Sequence, residues 1–190
     1  MERGRPQAGG VGDVPVDEVR VALAGNPNVG KSSLFNRLTG AAQHVGNWPG
    51  KTVERRTGTA ASEGARLLVT DLPGTYSLAA GSPEEVVAEQ ALTDTGLDVV
   101  AVVLDSTNLE RNLYLAAQIA ELGCPLVLVL NMDDAAAADG FRIDEAGLAA
   151  IFDAPVVRTV ARTGEGLEAL IAALLSVGAA ADHEQHAGAA

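Results

Sequence analysis

The chain reads as an α/β domain: a mostly parallel six-stranded sheet with one antiparallel edge strand and helices on both faces. Three observations predict this. Short β-branched runs alternate with segments of helical periodicity along 190 residues, a length that suits one compact domain. The runs are apolar without interruption, as expected of strands covered on both sides. A glycine-rich turn joins the first run to the first helix, which puts a ligand loop at the carboxyl end of a strand.

The elements follow in chain order. Residues 1–17, rich in Gly, Pro and charge, and residues 178–190, a run of Ala, Gly and His, show no periodicity and are expected to be disordered tails around a domain over 18–177. Core strands are predicted over 19–24, 65–70, 99–104, 125–130 and 155–160. The polar segment 52–57 is predicted as the antiparallel edge. Helices are predicted over 31–39, 83–92, 109–122, 144–151 and 167–175. The second of these opens with Ser82, Pro83 and Glu85, a capping-box signature.

Composition excludes several classes of function. The balance of 25 acidic against 13 basic residues gives a net charge of −12, which opposes broad binding to nucleic acid or anionic lipid and requires any anion site to be local. The only lysines are Lys31 and Lys51. Cys124 stands alone, so no intrachain disulfide or multi-cysteine metal site is expected; it reads as a small buried residue before a strand. The uncharged run 169–181 is shorter than the roughly 18 residues of a membrane span. Behind Arg3 and Arg5 no apolar segment follows, so no secretory leader and a cytoplasmic location are expected. His183 and His186 lack the preorganisation of a metal site.

The chemistry concentrates after the first strand. Gly25, Asn26, Pro27, Asn28, Val29, Gly30, Lys31 and Ser32 form the G-x-x-x-x-G-K-[ST] pattern leading into a helix. In such a loop backbone N–H groups turn inward onto phosphates, Lys31 reaches the terminal phosphates and the Ser32 hydroxyl ligates Mg²⁺. Asp71, Leu72, Pro73 and Gly74 close the second core strand; Asp71 suits the Mg²⁺ shell and the Gly74 N–H suits a γ-phosphate. Asn131, Met132, Asp133 and Asp134 end the strand over 125–130. A carboxylate at the end of N-x-x-D can accept from the N1–H and 2-amino groups of guanine together, a donor pair that adenine lacks. Thr52, after Gly50 and Lys51, is placed to offer Mg²⁺ a second hydroxyl when a γ-phosphate is bound.

These residues carry a resemblance to the amino-terminal GTPase (G) domain of the ferrous iron transporter FeoB family, in the TrmE/Era-like class of P-loop GTPases. It extends through Ser33 to Gly40, through the loop Val45-Gly-Asn-Trp-Pro-Gly50, and through the segments 71–78, 105–114 and 130–134. Gly-Asn-Trp-Pro-Gly is the discriminating piece. The resemblance implies a P-loop GTPase fold, phosphate binding by residues 25–33 and a switch I comprising Gly50, Lys51, Thr52, Val53 and Glu54. It further implies a switch II that begins at Asp71–Gly74, and guanine reading by Asn131 and Asp134. GTP and GDP, Mg²⁺, K⁺ and a membrane-embedded iron permease are the ligands, cofactors and partner it implies. For Asn28 two roles stand open: ligand to a K⁺ beside the phosphates, or hydrogen bonding within the loop.

The sequence also departs from the pattern of related enzymes. Thr75 stands where Ras-like enzymes place a water-orienting glutamine, so slow hydrolysis leaning on backbone groups or Thr75 is expected. Val160, Ala161 and Arg162 replace a Ser-Ala-Lys-like motif; the Ala161 N–H is expected to reach guanine O6, with rapid nucleotide release. Family members continue into a helical domain and a transmembrane region. This chain is therefore expected to be either the amino-terminal piece of a transporter or a separately encoded GTPase. A binding switch with negligible hydrolysis and a ribosome-assembly GTPase are the competing functions.

Overall fold

The computed structural model describes residues 17–62, 65–93 and 96–187. Seven strands form one sheet: β1 (Asp17–Gly25), β2 (Gln43–Asn47), β3 (Glu54–Ser62), β4 (Ala65–Asp71), β5 (Val99–Asp105), β6 (Leu126–Asn131) and β7 (Val156–Arg158). Their order is β2-β3-β4-β1-β5-β6-β7. Strands β4, β1, β5, β6 and β7 run parallel, whereas β3 is antiparallel to both of its neighbours. The helices are α1 (Lys31–Thr39), α2 (Pro83–Leu92), α3 (Leu109–Glu121), α4 (Asp133–Ala138), α5 (Glu145–Phe152) and α6 (Leu167–Ala187).

Alternation along β1 sorts the core into two layers. Val21 and Leu23 face α1 and α6, where Leu34, Phe35, Leu170 and Leu174 are buried. Ala22 and Ala24 face the other side, with Leu92, Leu115, Ile119 and Leu148 from α2, α3 and α5. Small residues of β1 on this side let α3 approach closely. Each fully buried leucine contributes about 1.5–3 kcal/mol against exposure, so the sheet is a rigid base for the loops at its carboxyl edge. At α2 the predicted capping box is present: the Glu85 N–H donates to Ser82 Oγ at 3.2 Å and the Ser82 N–H to Glu85 Oε2 at 3.1 Å.

Four expectations need correction. The sheet has seven strands rather than six, and its one antiparallel strand, β3, is not the edge, because Gln43–Asn47 pairs with β3 outside it. Every residue of β2 is exposed, so no apolar alternation marked it. The strand expected over 52–57 begins at Glu54, runs to Ser62 and lies inside the sheet; Thr52 is in the turn that precedes it. The expected tail from residue 178 instead continues α6 to Ala187. Gly178 is a packing point: a Cβ there would meet Val19 Cγ1 at 2.3 Å, and alanines sustain the helix beyond it. Residues 1–16 and 188–190 of the expected tails lie outside the described residues. Among the described residues no helix is long and apolar enough to cross a membrane.

Candidate functional site

The loops after β1, β4, β6 and β7 meet at the carboxyl edge of the sheet. Between β1 and α1, Asn28 and Gly30 adopt left-handed backbone, φ 67° and 85°, which curls the chain over the start of α1. Gly30 admits no side chain, since a Cβ would lie 2.2 Å from Asn131 Nδ2. The Asn28 side chain is exposed, as are Ser32 and Ser33, while Asn26 and Val29 are buried. Lys31 is buried at the first turn of α1, and its ammonium donates to Asp71 Oδ1 and to the Leu72 carbonyl. A cation and a carboxylate are thus desolvated together at the centre of the loop cluster, each needing the other.

Asn131 ties three of these loops together. Its Nδ2 donates to the Val29 carbonyl at 2.8 Å, and its Oδ1 accepts from the Ala161 N–H at 2.9 Å and from Thr159 Oγ1 at 3.2 Å. At 2% exposure the carboxamide works as a buried clamp between the phosphate loop, β6 and the loop after β7. The Ala161 N–H, expected to reach guanine O6, is spent on this clamp in the structure. Sequence reasoning gave Asn131 a base-reading role and missed Thr159 altogether; the dense polar set at the end of an apolar strand was the available signal.

The neighbouring carboxylates divide their work. Met132 takes a left-handed backbone, φ 60°, and turns β6 sharply into α4. Asp133 then accepts from Arg158 Nη1 at 2.6 Å, while Arg158 Nε donates to Glu145 at 2.7 Å. The hydrogen bond to Glu145, aided by the nearby charges, holds the Arg158 guanidinium above its ordinary pKa. Asp133 is therefore a strut between α4 and β7, and Arg158 carries the link on to α5. Asp134 is exposed and, among the described residues, pairs with the exposed Arg162 Nη2 at 3.2 Å, whereas Val160 is buried. Of the pair, Asp134 is the one free to serve a ligand.

The segments expected to act as switches are built differently. Residues 43–62 form a hairpin in which the Trp48 N–H donates to the Val53 carbonyl at 2.9 Å and the Lys51 N–H to the Trp48 carbonyl at 3.0 Å. Gly50, with φ 67°, makes the turn; Lys51, Thr52 and Glu54 are exposed there, and Val53 is half-buried. Among the described residues no hydrogen bond joins Thr52 to Ser32 or Asp71. Trp48 sits half-buried in a cleft with Ala22, Leu72, Ala91 and Leu97, covered by the Arg55 guanidinium 4.9 Å from its ring centroid. After β4, Leu72 is buried, its N–H donating to the Leu23 carbonyl at 3.0 Å. Pro73 leads to Gly74, where a Cβ would press on Pro27 at 3.2 Å. Thr75 is buried with its N–H donating to the Gly25 carbonyl at 3.3 Å. Cys124 takes no part: it is half-buried, and burial pushes its thiol pKa up.

Comparison with known proteins decides the assignment. The family model described as "Ferrous iron transport protein B" matches residues 19–174. This chain belongs to the FeoB family. It is 48% identical over 160 residues to the Fe(2+) transport protein A/Fe(2+) transporter FeoB fusion protein of Porphyromonas gingivalis, covering 84% of this chain and 19% of that one. Against the Fe(2+) transporter FeoB of Salmonella typhimurium it is 45% identical over 157 residues, covering 80% of this chain and 20% of that one. The chain thus spans about a fifth of the length of the curated relatives it matches. The solved G domain of T. maritima FeoB superposes with a TM-score of 0.78 at 43% identity, covering 84% of this chain and 98% of that one. A GDP form of the T. maritima FeoB cytosolic domain gives 0.83 at 44% identity, covering 87% of this chain and 65% of that one. The fold is that of a P-loop GTPase, and the chain is a FeoB-like, GTP-binding G domain.

Proposed function

We propose that this FeoB G domain hydrolyses GTP to GDP and phosphate with Mg²⁺ and K⁺, and that the cycle serves ferrous iron uptake by a membrane permease at the cytoplasmic face. The observation that carries the reading is the clamp of Asn131 on the Val29 carbonyl, which sets the phosphate loop and the base-reading loop at a fixed separation. Solved relatives described as bound to GDP support the guanine assignment.

Each residue has a role in this reading. The N–H groups of residues 28–33 and the amino end of α1 receive the phosphates. The Lys31 ammonium turns from Asp71 towards the β and γ oxygens and stabilises charge that grows on them. Asp134 accepts from N1–H and the 2-amino group of guanine. Water attacks the γ-phosphoryl group in line, oriented by backbone groups near Gly74 and by Thr75, with no covalent intermediate. The hydroxyls of Ser32 and Thr52 and the carboxylate of Asp71 are hard oxygen donors that fit Mg²⁺, and the exposed Asn28 carboxamide fits K⁺. Bound there, the cations neutralise charge on the β and γ oxygens. Thr52 lies on the exposed hairpin turn, so this role requires the hairpin to move.

One observation favours a second reading, a binding switch with negligible hydrolysis: Thr75 is buried and its N–H is spent on Gly25. Single-turnover phosphate release from purified protein with GTP and Mg²⁺, in K⁺ and in Na⁺ at equal ionic strength, separates the two. Faster release in K⁺ is expected. Equal slow release removes the role of Asn28, and no release with GTP still bound leaves the binding switch.

A further inference from the structure

Helix α3 carries a polar stripe that the nucleotide chemistry above does not use. Arg111, Tyr114 and Gln118 are spaced i, i+3 and i+7, and so lie along one face. The Arg111 guanidinium carbon lies 4.4 Å from the centroid of the Tyr76 ring in switch II. Two turns further on, Gln118 Oε1 accepts the Leu78 N–H at 3.0 Å, and Gln118 Nε2 reaches Tyr114 Oη at 3.5 Å. The first turn of the same helix touches the phosphate loop, where Asn26 Nδ2 donates to the Arg111 carbonyl at 3.5 Å. Asn26 is 4% exposed, and its Oδ1 has no partner.

We infer that α3 is the positioning element for hydrolysis, holding switch II in register with the phosphate loop through Arg111 and Gln118. The inference rests on the GTPase reading above. Its physical basis is a contrast in rigidity. On its inner face α3 buries Leu115, Ala116 and Ile119 against the sheet, so the helix is a fixed reference. Residues 75–78 belong to no helix or strand, and their backbone direction is set by what grips them. Tyr76 and Leu78 are gripped by Arg111 and Gln118, and Thr75, the residue expected to orient water, immediately precedes Tyr76. Arg111 and Gln118 are positioning residues that act through Thr75 and leave the phosphate and guanine contacts untouched, so the turnover rate should move while GDP affinity stays.

The test measures single-turnover phosphate release and, separately, affinity for a fluorescent GDP analogue. Tyr76→Ala, Arg111→Met and Gln118→Met are each expected to slow release by about two- to fivefold, the scale of one exposed stacking contact or one lost acceptor. GDP affinity is expected to stay within about twofold. Tyr76→Phe keeps the ring and Gln118→Glu keeps an acceptor, so both should recover release to near the wild-type rate. Tyr76→Ala combined with Arg111→Met should be no slower than the slower single variant, because both break one contact. Wild-type release in all the variants, losses of rate and affinity in equal measure, or multiplying effects in the pair would overturn the inference and leave the GTPase reading intact. A wild-type protein that binds GTP and releases no phosphate would remove that reading, and this inference with it.

Discussion

The two halves of the nucleotide site are made of different material. On the side of β5, β6 and β7 the loops are joined by buried hydrogen bonds that converge on Asn131 and by the strut from Asp133 to Arg158. On the side of β2, β3 and the segment after β4, Leu72 and Thr75 are anchored to β1 but the outer joints lie at the surface: a stack of Arg55 on half-buried Trp48, a stack of Arg111 on Tyr76, and a hairpin edge with no buried residue. Buried, satisfied networks fix one geometry, whereas exposed contacts are worth little each and are readily exchanged. The difference teaches that the base side of the site is preorganised in this domain, while the arrangement that the proposed hydrolysis needs is conditional. Lys31 sits at the border, paired with the switch-side Asp71 from a place in the rigid phosphate loop.

Breaking that border should have the largest effect. Lys31→Ala is expected to lower GTP affinity by about 100-fold or more, as for truncating one partner of a desolvated charged contact. It should also lower fold stability by about 3 kcal/mol, because Asp71 is left buried without its cation. Titration calorimetry and thermal unfolding read the two effects. Asn131→Ala comes next, removing a clamp with three hydrogen bonds at a cost of about 3 kcal/mol. A fall in Tm of about 10 °C with weakened GDP binding is expected; a fall under about 2 °C would mean that the base-side half is not held by this residue.

Asp134→Asn sharpens the comparison from the ligand's side. Its ion pair with Arg162 is exposed, so stability should change by less than about 0.5 kcal/mol. Competition between GDP and xanthosine diphosphate should show preference for guanine lost, and an unchanged preference would strip Asp134 of its role. On the switch side, Arg55→Ala should cost no more than about 1 kcal/mol yet shift the emission of Trp48, the chain's only tryptophan. The smallest effect concerns Glu85, whose pKa is lowered first by Ser77, against some opposing desolvation, and further by Gly81 and Ser82. A carboxylate with a lowered folded-state pKa stabilises above its unfolded value, and that contribution fades as pH falls through the folded one. The stability gap between wild type and Glu85→Gln should therefore be present at pH 7 and shrink in the acidic range, as followed by urea unfolding.

The rigid half was also the more legible. Apolar runs announced β1, β5 and β6, and the phosphate loop was readable because its glycines answer to backbone geometry, as the clash of a Cβ at Gly30 with Asn131 shows. What escaped notice lacked a periodic signal. Strand β2 is exposed at every residue and is held by backbone pairing to β3 and by the Gln43 amide at the end of α1. The continuation of α6 was hidden by Gly178, which reads as a helix stop and serves as a contact with Val19. The clamp on Asn131 and the grip of α3 on switch II join residues about 30 to 100 positions apart, which no local pattern encodes.

Hydrogen exchange followed by mass spectrometry, on the nucleotide-free protein and after addition of a non-hydrolysable GTP analogue with Mg²⁺, tests the contrast between the halves most directly. Amides around Val29, Asn131 and Ala161 should be protected before nucleotide is added, while those of the exposed hairpin turn exchange quickly and slow only when the analogue binds. Equal protection of both halves without nucleotide, or a hairpin turn that exchanges at the same rate with the analogue bound, would contradict the account.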